Sequence, residues 1–488
     1  MRVIDIKKLF ISEKWMSATF VGLAVVLGGQ STPVLAQLIG STEKSVSTHS
    51  AHSNLVEVDN ALPNPLTLEY LLGETYPLQS PQQLLQNARL QQAKGLILTN
   101  RVATDWHANI DGRLGWREFA QETQDNHLLA LHIGKVLYDF NQSDLSIKAA
   151  QKNLAAEERL IESVQSQQRL TVMQAFFNVL LSDFQFRVDD EAMAVEYVGF
   201  DKVKDFHAVG QRSDVELLAA EHRYQKIRVN RTRSESRQLQ TRVQLANALH
   251  RPDARPGDFR FPNLKRFAKR SFKHVSLQSL QEQVLQGNPK LQAMSQRVEG
   301  QRLALESALS QGKPTVRTDA WAGQLSSYPE VREGRWRAEV SVNIPLYDGG
   351  SEKAAVATAK ANLAVGEAEY QQLSQTLREE VTELYFQINL LQVEKKQHQV
   401  FGDYADLYLD YSRALYENES ATDLGDAMVR LSQANYDLVA WQFKQALLWS
   451  QIDYLMGKKV GLENDDKMSD SSLDKTLNLS LNKQEVAL

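Results

Sequence analysis

Residues 336–350 read Trp-Arg-Ala-Glu-Val-Ser-Val-Asn-Ile-Pro-Leu-Tyr-Asp-Gly-Gly. Trp336, Ala338, Val340, Val342 and Ile344 alternate with Arg337, Glu339, Ser341 and Asn343. Side chains two apart share one face of a strand, so this segment predicts a strand with one apolar and one polar face. Pro345 ends it, and Asp348-Gly349-Gly350 supplies turn chemistry just before a long run without proline.

The same pattern is written earlier in the chain. Val136-Leu137-Tyr138-Asp139-Phe140-Asn141 matches Pro345-Leu346-Tyr347-Asp348-Gly349-Gly350, and Asn153-Leu154-Ala155 matches Asn362-Leu363-Ala364. The stretch from Gly210 through Ser213, Glu216 and Leu217 to Ala220 recurs from Glu417 through Ser420, Asp423 and Leu424 to Ala427. Ser80-Pro81 and Asn288-Pro289 each put an N-cap residue before a proline at the first helical position. The copies stand about 208 residues apart throughout, which reads as a tandem duplication. The first repeat is expected over 66–250 and the second over 276–457. Between them, 251–275 carries Pro252, Pro256 and Pro262 with several Arg and Lys and reads as a solvated connector.

Each repeat holds two alternating stretches, expected as hairpins over about 104–138 and 315–346. Trp106, Ala108, Ile110, Gly112, Leu114 and Trp116 alternate with Asp105, His107, Asn109, Asp111 and Arg113. The strand with Leu129, Leu131, Ile133 and Leu137 is interrupted by Lys135 on its apolar parity. In Val316–Leu325 the parity stays open, because Trp321 shares it with Asp319. At about 10–12 residues these runs approach the ~9–11 that cross a bilayer as tilted strands, and tryptophans at their ends suit an aromatic girdle. A soluble sheet with one wet face alternates in the same way and remains the alternative. Four strands do not close a barrel, and an open edge is not viable in lipid, so a membrane reading requires several copies.

After each strand pair comes a segment rich in Ala, Gln, Glu, Leu and Lys, from about Ser143 to Asp205 and from about Ser351 to Tyr416. Some 60 residues of helix extend about 90–100 Å, too long for one compact domain. Leu377, Val381, Leu384, Ile388 and Leu391 follow 4-3-4-3 spacing, and Leu170, Phe177, Leu181, Phe184 and Val188 repeat most of it. A second helix follows each, from about Asp214 to His250 and Thr422 to Met456, after joins short enough for antiparallel hairpins.

The ends read differently. Arg2, Lys7, Lys8 and Lys14 precede an apolar run from Trp15 to Leu27 and then Val34-Leu35-Ala36, which predicts a cleavable export signal over 1–36. Residues 37–65 and 458–488 are polar and aperiodic and are expected to be flexible. A net charge of −5 gives no sign of a nucleic-acid partner. The chain has no cysteine, which removes disulfides, thiolate metal sites and cysteine nucleophiles.

An export signal followed by two copies of helix, strand hairpin and long helical hairpin resembles the TolC family of outer-membrane efflux proteins. The residues that carry the resemblance are Pro345, Leu346, Tyr347, Asp348, Gly349 and Gly350 at the strand-to-helix junction, then Asn288-Pro289-Lys290-Leu291 and the two hairpin tips. The resemblance spans roughly Leu66 to Gly457. It implies a mainly α fold with a membrane β-barrel portion: a homotrimer whose 12-stranded barrel sits in the outer membrane above a periplasmic α-helical barrel. It also implies a duct for efflux or type I secretion, working with a periplasmic adaptor and an inner-membrane pump of RND, ABC or MFS type. Trp106, Ile110, Leu114, Trp116, Trp336, Val340 and Val342 are then the lipid-facing candidates. Gly210, Ser213, Glu216, Ser420 and Asp423 are the adaptor-contacting candidates, and Asp423 with Asp426 are candidates for an acidic periplasmic aperture, or alternatively helix caps. The chain departs from the family at Glu417, where a tip glycine is usual, and at Phe140-Asn141, where a glycine pair is usual.

An enzyme is disfavoured, because no phosphate loop, HExxH or serine elbow is present and His107, His127 and His132 lie in or near strands without convincing metal spacing. No catalytic, cofactor or metal residues are expected. A periplasmic coiled-coil adaptor is the alternative function. The cargo is not written in the chain.

Overall fold

The computed structural model of the protein describes residues 62–73, 80–119, 122–125, 128–272, 275–325, 334–418 and 424–461. The predicted signal and both polar ends, apart from residues 62–65 and 458–461, lie outside the described residues, as does His127.

The first repeat runs through α1 (Leu68–Leu72), α2 (Pro81–Val102), β1 (His107–Arg113), β2 (Trp116–Phe119), β3 (Glu122–Asp125), β4 (Leu128–Tyr138), α3 (Gln142–Ala208) and α4 (Asp214–Ala248). A short α5 (Lys265–Ala268) follows. The second runs through α6 (Leu277–Gly287), α7 (Pro289–Ala308), β5 (Thr315–Leu325), β6 (Gly334–Asn343), α8 (Ser351–Glu417) and α9 (Leu424–Leu455). The start signals lie where the local chemistry puts them. Ser80 Oγ accepts from the amide of Gln83, and Asn288 Oδ1 accepts from the amides of Lys290 and Leu291.

The four long strands form one antiparallel sheet in the order β1-β4-β5-β6. The pairs Arg113–Leu128 and Trp116–Asp125 lie in one register, so β2 and β3 prolong the β1–β4 hairpin past a break at Leu114-Gly115. Helices α3 and α8, each 67 residues and so about 100 Å long, lead away from the same end of that sheet. Packing orders the hairpins as α4-α3-α9-α8, with α2 laid against the sheet-proximal half of α3 and α7 set between the sheet-proximal halves of α3 and α8.

The core sits at mid-length of the long helices. Val172, Met173, Phe176 and Phe177 of α3, Leu377, Val381, Ile388 and Leu391 of α8 and Val439, Phe443 and Ile452 of α9 belong to one buried apolar cluster. Of the heptad positions read in the sequence, Leu170, Phe177, Val188, Leu377, Val381, Ile388 and Leu391 are buried and Leu181, Phe184 and Leu384 half-buried, and stacked rings of Phe177 and Phe443, 4.2 Å apart, join the two repeats. The connector departs from the solvated segment expected. Phe267 is buried, Phe259 and Phe272 pack on the core, and Arg270 grips Asp453 bidentately at 2.7 and 2.9 Å. The guanidinium of Arg270 also lies 4.3 Å over Trp449, so the basic residues there cover an apolar joint.

Candidate channel-forming site

Residues opposed in an antiparallel pair share a face. The register therefore assembles rows across the sheet: Ile110–Leu131–Ala322–Trp336, then Ala108–Ile133–Ala320–Ala338. Lower rows add Lys135–Thr318–Val340 and Tyr138–Val316–Val342. Much of this face is exposed among the described residues: Ile110 and Trp336 are each 74% exposed, and Trp106, Leu114, Trp116, Val340 and Val342 are exposed as well. Strands of 10 and 11 residues tilted as in a barrel make the apolar band roughly 25 Å tall.

The other face is polar and closely knit. It carries His107, Asn109, Asp111, His132, Arg317, Asp319, Arg337 and Glu339. His132 Nε2 lies 2.9 Å from Asp319 Oδ1, and its Nδ1 lies 3.8 Å from Asp111 Oδ2. The parity left open for β5 is settled by size. Ala320 and Ala322 fall on the apolar rows, while Trp321 goes to the polar face, stacked on His132 at 4.6 Å with the Arg337 guanidinium 3.8 Å from its ring centre. Clothed in this way the indole is half-buried despite its polar company. Gly134 makes room for Asp319, since a Cβ there would stand 2.5 Å from the carboxylate. Among the described residues no three metal-ligating side chains form a metal site.

The two strand-to-helix junctions share one geometry. Asp348 accepts from the amides of Gly350 at 2.9 Å and Glu352 at 2.6 Å, and these bonds hold its carboxyl below the usual carboxylate range. Asp139 accepts from the amide of Ser143 at 2.9 Å. Gly349 and Gly350 have φ of 69° and 89°, and Phe140 and Asn141 take the same left-handed region at 54° and 65°. Pro345 follows the last strand, while Leu346 and Tyr347 project almost fully into the open.

At the first tip, Gly210 (φ 77°) ends α3, and Ser213 and Glu216 form a reciprocal capping box at the start of α4. The Glu216 carboxylate accepts from the Ser213 amide at 2.9 Å and from Arg212 at 2.6 Å, which lowers its pKa from 4.5 to about 2. His207 Nε2 and Asp214 Oδ1 meet at 2.7 Å across the turn. Gly210, Ser213 and Glu216 thus come together, with an immediate role in building the turn. Ser420 and Asp423 lie outside the described residues. Asp426 is in the first turn of α9, where its carboxylate takes Arg430 at 2.6 Å, and Arg430 reaches over the Tyr408 ring. Glu417 closes α8, and Asn418 caps it by donating to the Ala414 carbonyl at 2.8 Å.

Two features were not read in the sequence. On α4, Leu217, Ala220, Tyr224, Ile227, Ser234 and Leu245 face inward, yet Val215, Leu218, Val229, Leu239 and Val243 form a second, exposed seam at heptad spacing. On α8, Phe386, Leu390, Val393, Val400, Tyr404, Leu407 and Tyr411 do the same. The spacing was present in the sequence, but His222, Gln225, Thr232 and Ser236 interrupt the α4 seam.

A sheet apolar on one face and polar on the other, carried by helices of this length, is the architecture of a duct-type outer-membrane channel. Residues 280–458 match the family described as outer membrane efflux protein. Among solved structures the fold is similar to the outer membrane protein VceC from Vibrio cholerae (TM-score 0.64, 16% identity, covering 81% of this chain and 97% of that one). It is similar likewise to the CmeC outer membrane channel of Campylobacter jejuni (0.65, 13%, covering 82% and 86%). The open state of the MtrE outer membrane channel of Neisseria gonorrhoeae gives 0.65 at 16%, covering 82% and 90%. No curated protein matches the chain. The match to the efflux family covers the second repeat, the fold of the whole described chain is that of the outer-membrane channels, and together they support the duct reading over the adaptor alternative.

Proposed function

We propose that three copies of this chain close into one outer-membrane duct that receives cargo from an inner-membrane pump, through a periplasmic adaptor, and releases it outside. One observation carries the assembly: at every level the chain ends in two unlike open edges. In the sheet these are β1 and β6; in the helical part they are α4 and α8. Unlike edges repeat head to tail and close into a ring, and closure pairs the strand edges that lipid does not tolerate bare. The exposed seams of α4 and α8 supply the helical contact, and the resemblance to the family supplies the number three and hence 12 strands. In this reading the apolar rows from Trp106 to Val342 face lipid, the polar face lines the lumen, and residues 1–36 are a cleavable export signal. The Gly210–Glu216 turn and the second tip meet the adaptor.

The absence of cysteine allows a direct test. Val229→Cys combined with Val400→Cys places thiols on the two outer seams at comparable distances from the hairpin ends. Oxidation is expected to give disulfide-linked trimers in outer-membrane fractions. Monomers alone, or a chain extracted by carbonate, would overturn the assembly.

A further inference from the structure

Among the described residues the apolar face of the sheet contains one cation. Lys135 of β4 lies in a row with Thr318 and Val340, and its Nζ stands 5.4 Å from the Trp106 ring centre. Close by in sequence, at the helix-side margin of the sheet, Tyr138 packs at a tilt against Phe140 with ring centres 4.9 Å apart, and the Lys313 Nζ lies 5.8 Å from the Phe140 ring. Lys313 also donates to Ser310 Oγ at 3.2 Å. Among the described residues neither lysine meets a carboxylate. In the head-to-tail ring the strand arriving beside β1 is β6, whose residues on this face are Trp336, Ala338, Val340 and Val342, so a neighbouring copy brings no counter-charge from there.

A lysine on a lipid-facing surface is costly near mid-bilayer and tolerable near the interface, where its stem runs along apolar surface and its ammonium reaches the headgroups. Three residues separate Lys135 from the end of β4, within reach of that margin for an extended side chain. Trp and Tyr prefer the same depth. We propose that Lys135 with Trp106, and Lys313 with Phe140 and Tyr138, form a basic–aromatic girdle that holds the phosphate of anionic phospholipids in the leaflet on the helix side of the barrel. The site rests on the duct reading above, which places this face in lipid and the helices in the periplasm.

The test is native mass spectrometry of detergent-purified trimers titrated with phosphatidylglycerol and phosphatidylcholine, for the full chain and for Lys135→Met, Lys313→Met and the two Lys→Arg variants. Each Lys→Met change is expected to weaken the preference for phosphatidylglycerol about fivefold, the effect of removing one cation near an anionic surface, while the arginine variants keep it. An unchanged preference in the Lys→Met variants overturns the site while leaving the duct intact. Displacement of the lipid by inorganic phosphate at equal concentration would assign the lysines to free anion and also overturns it. A wild-type chain that forms no trimer and binds neither lipid overturns the duct reading and the girdle together.

Discussion

Phe140 and Asn141 hold the left-handed backbone angles that Gly349 and Gly350 hold in the second repeat. An L side chain in that region costs of order 1 kcal/mol, with Asn the most tolerant of the non-glycine residues. Asn141→Gly is therefore expected to be neutral to stabilising by up to about 0.5 kcal/mol, while Gly350→Ala destabilises by about 1 kcal/mol or more, both read by thermal unfolding in detergent. Equal effects of the two changes would mean that the junctions are not equivalent. Glu216 gives a second test, with a defined sign. Its carboxyl is held down to about 2 in the fold against 4.5 unperturbed, so its capping contribution is present above pH 4.5 and is lost as pH falls toward 2. Hydrogen exchange of the first-turn amides of α4 should show better protection in the wild type than in Glu216→Gln at pH 5, with the two converging near pH 2. Much at this scale was legible: the alternation from Trp336 to Ile344 and the Ser-Pro and Asn-Pro caps depend on near neighbours. The His132–Asp319 pair was not, because its partners lie 187 residues apart and meet only through strand register.

At the scale of elements, the long helices announced themselves by their heptads, because a buried seam must be apolar at nearly every a and d position. The outer seam of α4 escaped notice because a seam destined for another chain tolerates His222, Gln225, Thr232 and Ser236. The connector escaped for a related reason, since its arginines advertise solvent while Phe267 beneath them is buried. The joint between the two hairpins shows where pH acts. Gly425 of α9 packs so closely on α3 that a Cβ there would stand 2.7 Å from Val195, and nearby Ser432 hydrogen-bonds to the half-buried Glu191. Burial raises the Glu191 pKa above 4.5, only partly offset by Ser432 and Arg187. For an acid raised in the fold, stability is fully present below 4.5 and declines as pH rises through the raised value. Glu191→Gln keeps an acceptor for Ser432 and removes the ionisation. The variant should resist heat better than the wild type at pH 7 and equal it at pH 4.5; a loss at pH 7 would show that the charge itself holds the joint.

For the molecule as a whole, the duplication made the architecture readable, since a chain with four strands and two outsized hairpins has no way to close upon itself. What the residues do not state is how the helical end controls passage. The sequence offers Asp426 as part of an acidic ring or as a helix cap, and in the fold it lies in the first turn of α9 with Arg430 2.6 Å from its carboxylate and stretched over Tyr408 of α8. An acid so paired attracts cations weakly, because the guanidinium cancels most of its field at pore distances. If the ring is electrostatic, its strength is set by the balance between Asp426 and Arg430 together with Asp423. Arg430→Gln should then raise the cation preference of reconstituted trimers, measured as reversal potential in planar bilayers under a salt gradient. Asp423→Asn with Asp426→Asn should lower it and leave Arg430 to favour anions, so the two variants are expected to shift in opposite directions. Movement in the same direction, or none, would mean that these residues fasten α9 to α8 and that selectivity is decided elsewhere along the duct.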